Sequence, residues 1–212
     1  MTTTTAWTAA IVALGLVGPK RLHGQAFDGA IYAVAASNAE VSRVREARGF
    51  GAGATVGLTR GRFRVEVQGL TASLQADFAL QPDYALNELA VLGTYRWRPA
   101  LSIQVGGGRR FTSPDFAAQD VGVLRVGLLT ETPLTTLARM YARAAYLPLT
   151  KFDGGGSSTL ALELGLGLSL GLREGRYAGI LACEYQRIDR KVHDNDVPIR
   201  SSIVRLGLTR RW

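Results

Sequence analysis

One of the two histidines lies among carboxylates, in the segment KVHDND near the end of the chain. His193 has Asp194 and Asp196 close by and Asp189 four residues before it. A histidine held by a carboxylate can act as a general base, and the same residue types can hold a metal ion. No serine is placed beside His193 to act as a nucleophile, and a solvated loop histidine explains the cluster more simply. We therefore predict no catalytic residue, no metal site and no cofactor.

Three glycine clusters superficially match nucleotide-binding loops. Residues 49–53 (GFGAG) are followed by more alternating residues rather than by a helix pattern, so they do not form a dinucleotide fingerprint. Residues 106–109 (GGGR) lack the Lys and Ser/Thr of a phosphate-binding loop. Residues 154–158 (GGGSS) have the composition of a flexible loop tip. We interpret all three clusters as structural.

Positive charge is distributed along the whole chain. The 212 residues carry a formal net charge of +8, which suits either nucleic acid or anionic lipid as a partner. The arginines are spread through the sequence rather than clustered, so we predict no nucleic-acid binding. The single cysteine, Cys183, excludes an intramolecular disulfide.

The clearest structural pattern lies in residues 159–173, TLALELGLGLSLGLR, where every even position from Leu160 to Leu172 is leucine. The residues between these leucines are small or charged: Ala161, Glu163, Gly165, Gly167, Ser169 and Gly171. A period of two over this length indicates a strand, because a helix would scatter the leucines around its axis. The small and charged face suits a narrow polar interior, with lipid on the leucine side. The chain has no run of 18 apolar residues, whereas a barrel strand needs only about 10 alternating ones.

The same alternation predicts ten antiparallel strands, with eight as the alternative if one hairpin is miscounted. The strands are expected near 27–37, 49–59, 62–74, 84–97, 100–111, 119–130, 135–147, 159–173, 176–188 and 199–212. Short connections are expected at 59–62, 97–100, 131–134 and 173–176. Longer connections are expected at 38–48, 75–83, 112–118, 148–158 and 189–198. This alternation of short turns and longer loops is the plan of outer-membrane barrels. The predicted fold is therefore all-β, a single closed antiparallel transmembrane β-barrel.

Aromatic residues fall near both ends of the predicted strands. One group lies beside the short turns or the C-terminus: Phe63, Trp97, Tyr177 and Trp212. The other group lies toward the longer loops: Phe50, Tyr84, Phe111, Tyr146 and Tyr185. Two aromatic belts are typical of the two membrane–water interfaces. We predict that these residues form an aromatic girdle.

The N-terminal 26 residues look like an export signal. Residues 9–17 (AAIVALGLV) form a short apolar core, and Gly24 and Ala26 are the small residues that signal peptidase reads. The segment before the core carries no Lys or Arg, and an N-terminal structural segment is the alternative. The predicted division is a signal peptide over 1–26 and a barrel domain over 27–212.

The segment SIVRLGLTRRW places Val204, Leu206 and Leu208 on one face and ends on Trp212. It resembles the C-terminal signal of outer-membrane barrel proteins, which implies recognition by the barrel assembly machinery. Arg210 departs from the apolar pattern, but a long side chain near the interface can extend its charge to the headgroups.

If the leucine side meets lipid, the opposite face carries most of the mid-strand charge. These residues are Arg64, Glu66, Glu88, Arg125, Arg139, Arg143, Glu163, Glu184 and Arg205. An unpaired buried charge costs several kcal/mol, so we predict that they pair in a lumen network. Glycines on the same face, such as Gly57 and Gly167, are expected to leave room for the long arginines. The arrangement resembles OmpA-type and related small outer-membrane barrels, which implies a plugged or very narrow lumen.

These observations predict a protein of the Gram-negative outer membrane, with a charged, largely closed lumen and a structural or surface-interaction role rather than an enzymatic one. A narrow anion-preferring channel lined by the excess arginine is one alternative. The second is a loop-borne hydrolase that uses His193, since the omptins, outer-membrane proteases, are also ten-stranded and use loop Asp and His. Outer-membrane lipids and lipopolysaccharide are the expected partners, and the charged loop 38–48 is one segment that can contact them.

Overall fold

The computed structural model describes residues 25–40, 45–77, 83–114, 119–172, 176–193 and 195–212. These ranges form ten long strands and one strand of two residues. The long strands are β1 Gln25–Glu40, β2 Arg45–Arg60, β3 Phe63–Ala76, β4 Tyr84–Arg98, β5 Leu101–Ser113, β6 Val121–Pro133, β7 Ala138–Phe152, β8 Ser157–Gly171, β9 Tyr177–Val192 and β11 Ile199–Arg211. The short strand β10, Asn195–Asp196, pairs with the end of β9. Within these ranges no helix is long and apolar enough to cross a membrane.

The sheet closes on itself. Each long strand pairs antiparallel with the one before it, β11 pairs with β9, and β1 pairs with both β2 and β11. In the closing pair, Gly29 lies opposite Arg210 and Glu40 lies opposite Ile199. The prediction of a closed, ten-stranded antiparallel barrel is confirmed, and the eight-stranded alternative is wrong.

Side chains alternate between the lumen and the outer surface along every strand. On β8, Leu164 and Leu166 are 55% and 61% exposed, whereas Glu163 is 3% exposed. A closed ring of strands has only an inside and an outside, so the buried residues face the lumen and the leucines cover the surface. The predicted outward direction of the leucines is confirmed.

The strands run further toward the longer connections than the sequence predicts. β1 continues to Glu40 and β7 to Phe152, so the loops expected over 38–48 and 148–158 are shorter than predicted. On β7 the local reason is a bulge that sets Leu147 and Pro148 opposite one residue of β6 and shifts the alternation by one position.

The lumen face and the outer face of the strands also exchange polarity near the longer connections. On β9, the exposed Leu181 is followed by the buried Ala182, whereas six residues later the exposed Arg187 is followed by the buried Ile188. We call the end with the longer connections the loop end and the other the turn end. At the loop end the outer surface is polar and the interior is apolar. A search of the sequence for apolar outer faces therefore misses the last residues of the strands at this end.

The connection between β7 and β8 depends on glycine. Gly155 and Gly156 have φ of +76° and +94°, a region that other residues rarely adopt. The glycines of the cluster GGGSS therefore have a structural role in the turn, whereas Ser157 and Ser158 begin β8. The predicted signal peptide lies outside the described residues as far as residue 24, while Gln25 and Ala26 begin β1 opposite Arg60 and Thr59.

Candidate functional site: the lumen

The interior of the barrel is filled in layers, and the layer at the loop end is apolar. Its members come from strands all around the ring. They are Ala36, Ala47, Ala72, Leu74, Tyr84 and Leu86 on one side and Val121, Leu147, Phe152, Ala161, Ile188 and Ile199 on the other. Leu74, Leu86 and Ile188 are completely inaccessible to solvent. This end of the interior is packed like the core of a soluble protein.

Polar groups cover the apolar layer beneath the loops. Asn38 donates hydrogen bonds to the Tyr84 hydroxyl at 3.1 Å and to Gln119 Oε1. Arg190 donates to the carbonyl of Gly155 at 3.0 Å, and its guanidinium lies 4.6 Å from the centre of the Phe152 ring. These contacts tie β1, β4, β7 and β9 together at the loop end.

A chain of five charges crosses the middle of the lumen. Glu163 lies 2.6 Å from an Nη2 of both Arg125 and Arg143. Arg143 continues to Glu184 at 2.9 Å, and Glu184 binds Arg205 at 2.8 Å. All five side chains are at most 13% exposed. Opposite charges at these distances neutralise one another where water is excluded.

Two further ion pairs bring in residues that the sequence analysis did not single out. Arg110 binds Glu88 at 3.0 Å, and the two are direct register partners on β4 and β5. Arg64 binds Asp28 across β2 and also binds Glu66 at 2.7 Å. Asp28 and Arg110 were missed because each lies within two residues of the end of its predicted strand. Their even positions place both on the lumen face of their strands, which is a signal that the sequence already contains.

Arg139 is the predicted network residue that stands apart. It lies on the lumen face of β7 near the turn end, where its side chain is exposed. No described residue forms an ion pair with it. The prediction that all nine charges pair is therefore wrong for Arg139 among the described residues, because its side chain lines a cavity.

The lumen glycines make room for more than arginines. At Gly57 a Cβ would overlap the Arg64 guanidinium, as the sequence predicts. At Gly53 and Gly167 it would instead overlap the rings of Tyr32 and Tyr141. The glycines therefore fit two tyrosines and an arginine into a narrow barrel.

Most of the aromatic residues predicted to form a girdle are exposed on the outer face, but the prediction is wrong for Tyr84. Exposed rings lie on the outer face near both ends: Phe50, Phe63, Trp97, Phe111, Tyr146, Tyr177 and Tyr185. Tyr84 lies on the lumen face and is 7% exposed, because its even position on β4 points inward with Leu86. Trp212 packs on Gly29.

Arg210, which interrupts the apolar row of the last strand, lies among aromatic rings. Its guanidinium lies 5.6 Å from the Tyr177 ring centre and 5.4 Å from the Trp212 ring centre, and these cation–π contacts accommodate its charge.

His193 lies in the connection after β9, far from the lumen charges. It is exposed and has a positive φ of 46°. Asp189 is paired with Arg187 at 2.8 Å, and Asp194 lies outside the described residues. Across the described part of the chain, no three His, Cys, Asp or Glu side chains come together as a metal site.

A cavity of about 460 Å³ occupies the turn end of the lumen. Gly61, Arg62 and Pro99 from two of the short turns lie at its mouth. Tyr32, Arg143 and Arg205 line it on the side of the charge chain. We call this cavity the vestibule. In outer-membrane barrels the short turns lie on the periplasmic side.

The sequence matches no family model and no curated protein. Solved structures share its architecture. The outer-membrane protease OmpT from Escherichia coli aligns at 7% identity with a TM-score of 0.55, over 93% of this chain and all of its own. Neisserial surface protein A aligns at 16% identity with a TM-score of 0.45, over 87% and 97%. The attachment invasion locus protein Ail of Yersinia pestis aligns at 13% identity with a TM-score of 0.39, over 90% and 100%.

The similarity to OmpT, at 7% identity, supports the fold and not an activity. The closed ring of ten strands and the leucine-covered middle of its outer surface define the class as a transmembrane β-barrel of the outer-membrane type. The protein is accordingly a small β-barrel of the bacterial outer membrane.

Proposed function

We propose that the protein is a non-enzymatic outer-membrane barrel whose lumen does not conduct and which acts through the surface of its loop end. The observation that supports the proposal is the chain Arg125–Glu163–Arg143–Glu184–Arg205, which spans the lumen beneath a layer of fully buried apolar side chains. A permeating ion would have to separate these pairs, and breaking one buried pair costs about 3–5 kcal/mol. It would then meet the layer of buried apolar side chains at the loop end.

Conductance in planar bilayers tests this proposal. We expect the purified, folded barrel to produce no steady current above that of the bilayer alone. A large steady conductance contradicts the proposal. A small anion-selective conductance that falls in Arg139→Ala or Arg143→Ala also contradicts it and favours the narrow-channel alternative.

The non-enzymatic part is tested separately at His193. Its side chain is exposed, whereas substrate sites usually lie in concave pockets with convergent polar groups. We expect the protein to hydrolyse neither peptides nor lipid A. Hydrolysis by the wild type that disappears in His193→Ala contradicts the proposal and supports the hydrolase alternative.

Lipopolysaccharide is the partner we propose for the loop end. Basic residues lie on its outer face near the aromatic rings: Arg48, Arg109, Lys151, Arg187, Lys191 and Arg200. Arg187 and Arg200 are register partners on β9 and β11, and since only one carboxylate among the described residues, Asp189 at 2.8 Å from Arg187, lies against them, the two like charges keep an excess positive charge. Phosphate groups of lipid A would neutralise such a pair.

The lipid proposal predicts a stability effect. Adding lipopolysaccharide to the vesicles raises the unfolding temperature of the wild type, and Arg187→Gln with Arg200→Gln removes most of that rise. Arg98→Gln, at the turn end, is the control and keeps it. Equal stabilisation of all variants contradicts the proposal.

We also propose that β11 with Trp212 is read by the barrel assembly machinery. The main-chain nitrogen of Trp212 donates to the carbonyl of Phe27 at 3.0 Å, which completes the closing pair. Val204, Leu206 and Leu208 form an apolar row on the outer face. We expect Trp212→Ala to lower the yield of folded barrel in membranes several-fold, and Trp97→Ala, in the same aromatic belt, to leave it nearly unchanged. Normal assembly of Trp212→Ala contradicts this role.

A further inference from the structure

The vestibule carries more positive charge than its own carboxylates neutralise. Among the described residues, seven arginines and four carboxylates line it. Three of the carboxylates, Asp28, Glu66 and Glu184, are held in ion pairs with lumen arginines. Only Glu131 is left to balance the other guanidinium groups, so the cavity has a positive interior.

Four arginines of the vestibule form no ion pair with any described residue. They are Arg62 of the β2–β3 turn, Arg96 of β4, Arg139 of β7 and Arg211 of β11. Because these segments lie at different positions around the ring, the four cations approach the mouth from several sides. Guanidinium groups arranged in this way match the oxygens of carboxylates and phosphates, which they bind through two parallel hydrogen bonds.

Deeper in the vestibule, two hydrogen-bond donors lack acceptors. The Nε atoms of Arg143 and Arg205 are buried without a hydrogen-bond partner among the described residues, although both side chains are more than nine-tenths buried and line the cavity. Neither Nε atom is accessible from the cavity, so the two guanidinium groups add positive charge to its inner wall rather than a hydrogen bond to a ligand.

We propose that the vestibule is a periplasm-facing binding site for a small anion that carries two or more carboxylate or phosphate groups. A volume of about 460 Å³ lies in the range of small-molecule sites. Two or more acidic groups are required because the unpaired cations are spread around the mouth rather than gathered at one point. The site needs only one opening, so it does not depend on whether the lumen conducts.

Calorimetric titration of the folded barrel in an uncharged detergent at low ionic strength tests the proposal. Pyrophosphate and citrate are the two probes, and they distinguish phosphate from carboxylate chemistry. We expect saturable binding of at least one probe with one site per barrel. Arg139→Gln and Arg96→Gln each weaken this binding about tenfold or more, because each removes charge-assisted hydrogen bonds.

Two matched controls separate the vestibule from general surface charge. Arg98→Gln removes a turn-end arginine that stacks on Trp97, 5.0 Å from its ring centre, and Arg60→Gln removes an exposed arginine at the end of β2 that does not line the cavity. Both are expected to bind like the wild type. Heat-modifiable gel migration verifies that each variant is folded. Failure of both probes to bind the wild type overturns the proposal, as does wild-type binding by Arg139→Gln and Arg96→Gln or an equal loss in the controls.

Discussion

Glu163 is the carboxylate on which the mid-lumen charges depend. It neutralises Arg125 and Arg143 together, at 2.6 Å from each, and it accepts a hydrogen bond from Gln186 at 3.3 Å. Glu163→Gln keeps the shape but leaves Arg125 without a counter-charge. We expect the free energy of unfolding to fall by about 3–5 kcal/mol. Urea unfolding in lipid vesicles, followed by tryptophan fluorescence, measures the loss.

Glu46→Gln is the matched control for that experiment. Glu46 pairs with Arg48 at 2.8 Å, but both side chains are largely exposed to solvent. Surface pairs of this kind contribute about 0–1 kcal/mol. Equal losses in the two variants would show that burial of the charges does not govern their contribution.

Gly167 tests how tightly the lumen is packed. A Cβ at this position would overlap the Tyr141 ring, so Gly167→Ala is expected to destabilise the barrel by about 1–3 kcal/mol. In the Tyr141→Ala background the same change is expected to cost much less, which a double-mutant cycle measures. Gly122→Ala is the control, because the nearest atom to its Cβ lies 4.0 Å away. Equal effects of Gly167→Ala in both backgrounds would contradict the packing argument.

The sequence predicts whether each side chain faces the lumen or the lipid. It does not predict which residue that side chain pairs with. Even positions of β8 carry leucine, so Glu163 had to face the other way. Its partner Arg125 lies two strands away on β6, and contact across the lumen depends on the stagger of the whole ring. For the same reason the sequence could not show that Arg139 faces a cavity while Arg143 pairs.

At the scale of the strand, β8 predicts how the destabilisation caused by an arginine depends on its depth in the membrane. Leu164 lies at the middle of the strand on the lipid side, and Leu172 lies just beyond its turn end. Leu164→Arg is expected to destabilise the barrel by about 2–4 kcal/mol and Leu172→Arg by about 0–1 kcal/mol. Unfolding in vesicles measures both. Equal costs would contradict the assigned position of the membrane.

The predicted elements fail in one consistent place. Strand centres follow the period of two with apolar residues outside, and these centres were located correctly. At the loop ends of β1, β7 and β9 the outside becomes polar, so these residues looked like loops. Tyr84 was assigned to the outer face for the same reason. It belongs to the apolar interior of the loop end, whereas the pattern used for the prediction places apolar residues outside and polar residues inside.

At the scale of the molecule, the two ends of the barrel face different compartments. In a Cys183→Ala background, Ser157→Cys at the loop end is expected to react with a membrane-impermeant maleimide on intact cells. Ala100→Cys, in the β4–β5 turn, is expected to react only after the outer membrane is permeabilised. Whole-cell labelling followed by mass shift measures both. Labelling of Ala100→Cys alone on intact cells would reverse the orientation and point the vestibule outward.

The length of the strands extends this argument to the cell surface. A strand of 16 residues, such as β1, rises about 53 Å, which at a tilt of about 40° spans roughly 40 Å against an apolar band of about 25 Å. The strand length in excess of the apolar band lies at the loop end, where Leu74, Leu86 and Ile188 form part of the interior. Antibodies that approach the bacterium would therefore meet rigid β-sheet below the loop tips. Epitopes on that sheet are conformational, and boiling the antigen would abolish their recognition.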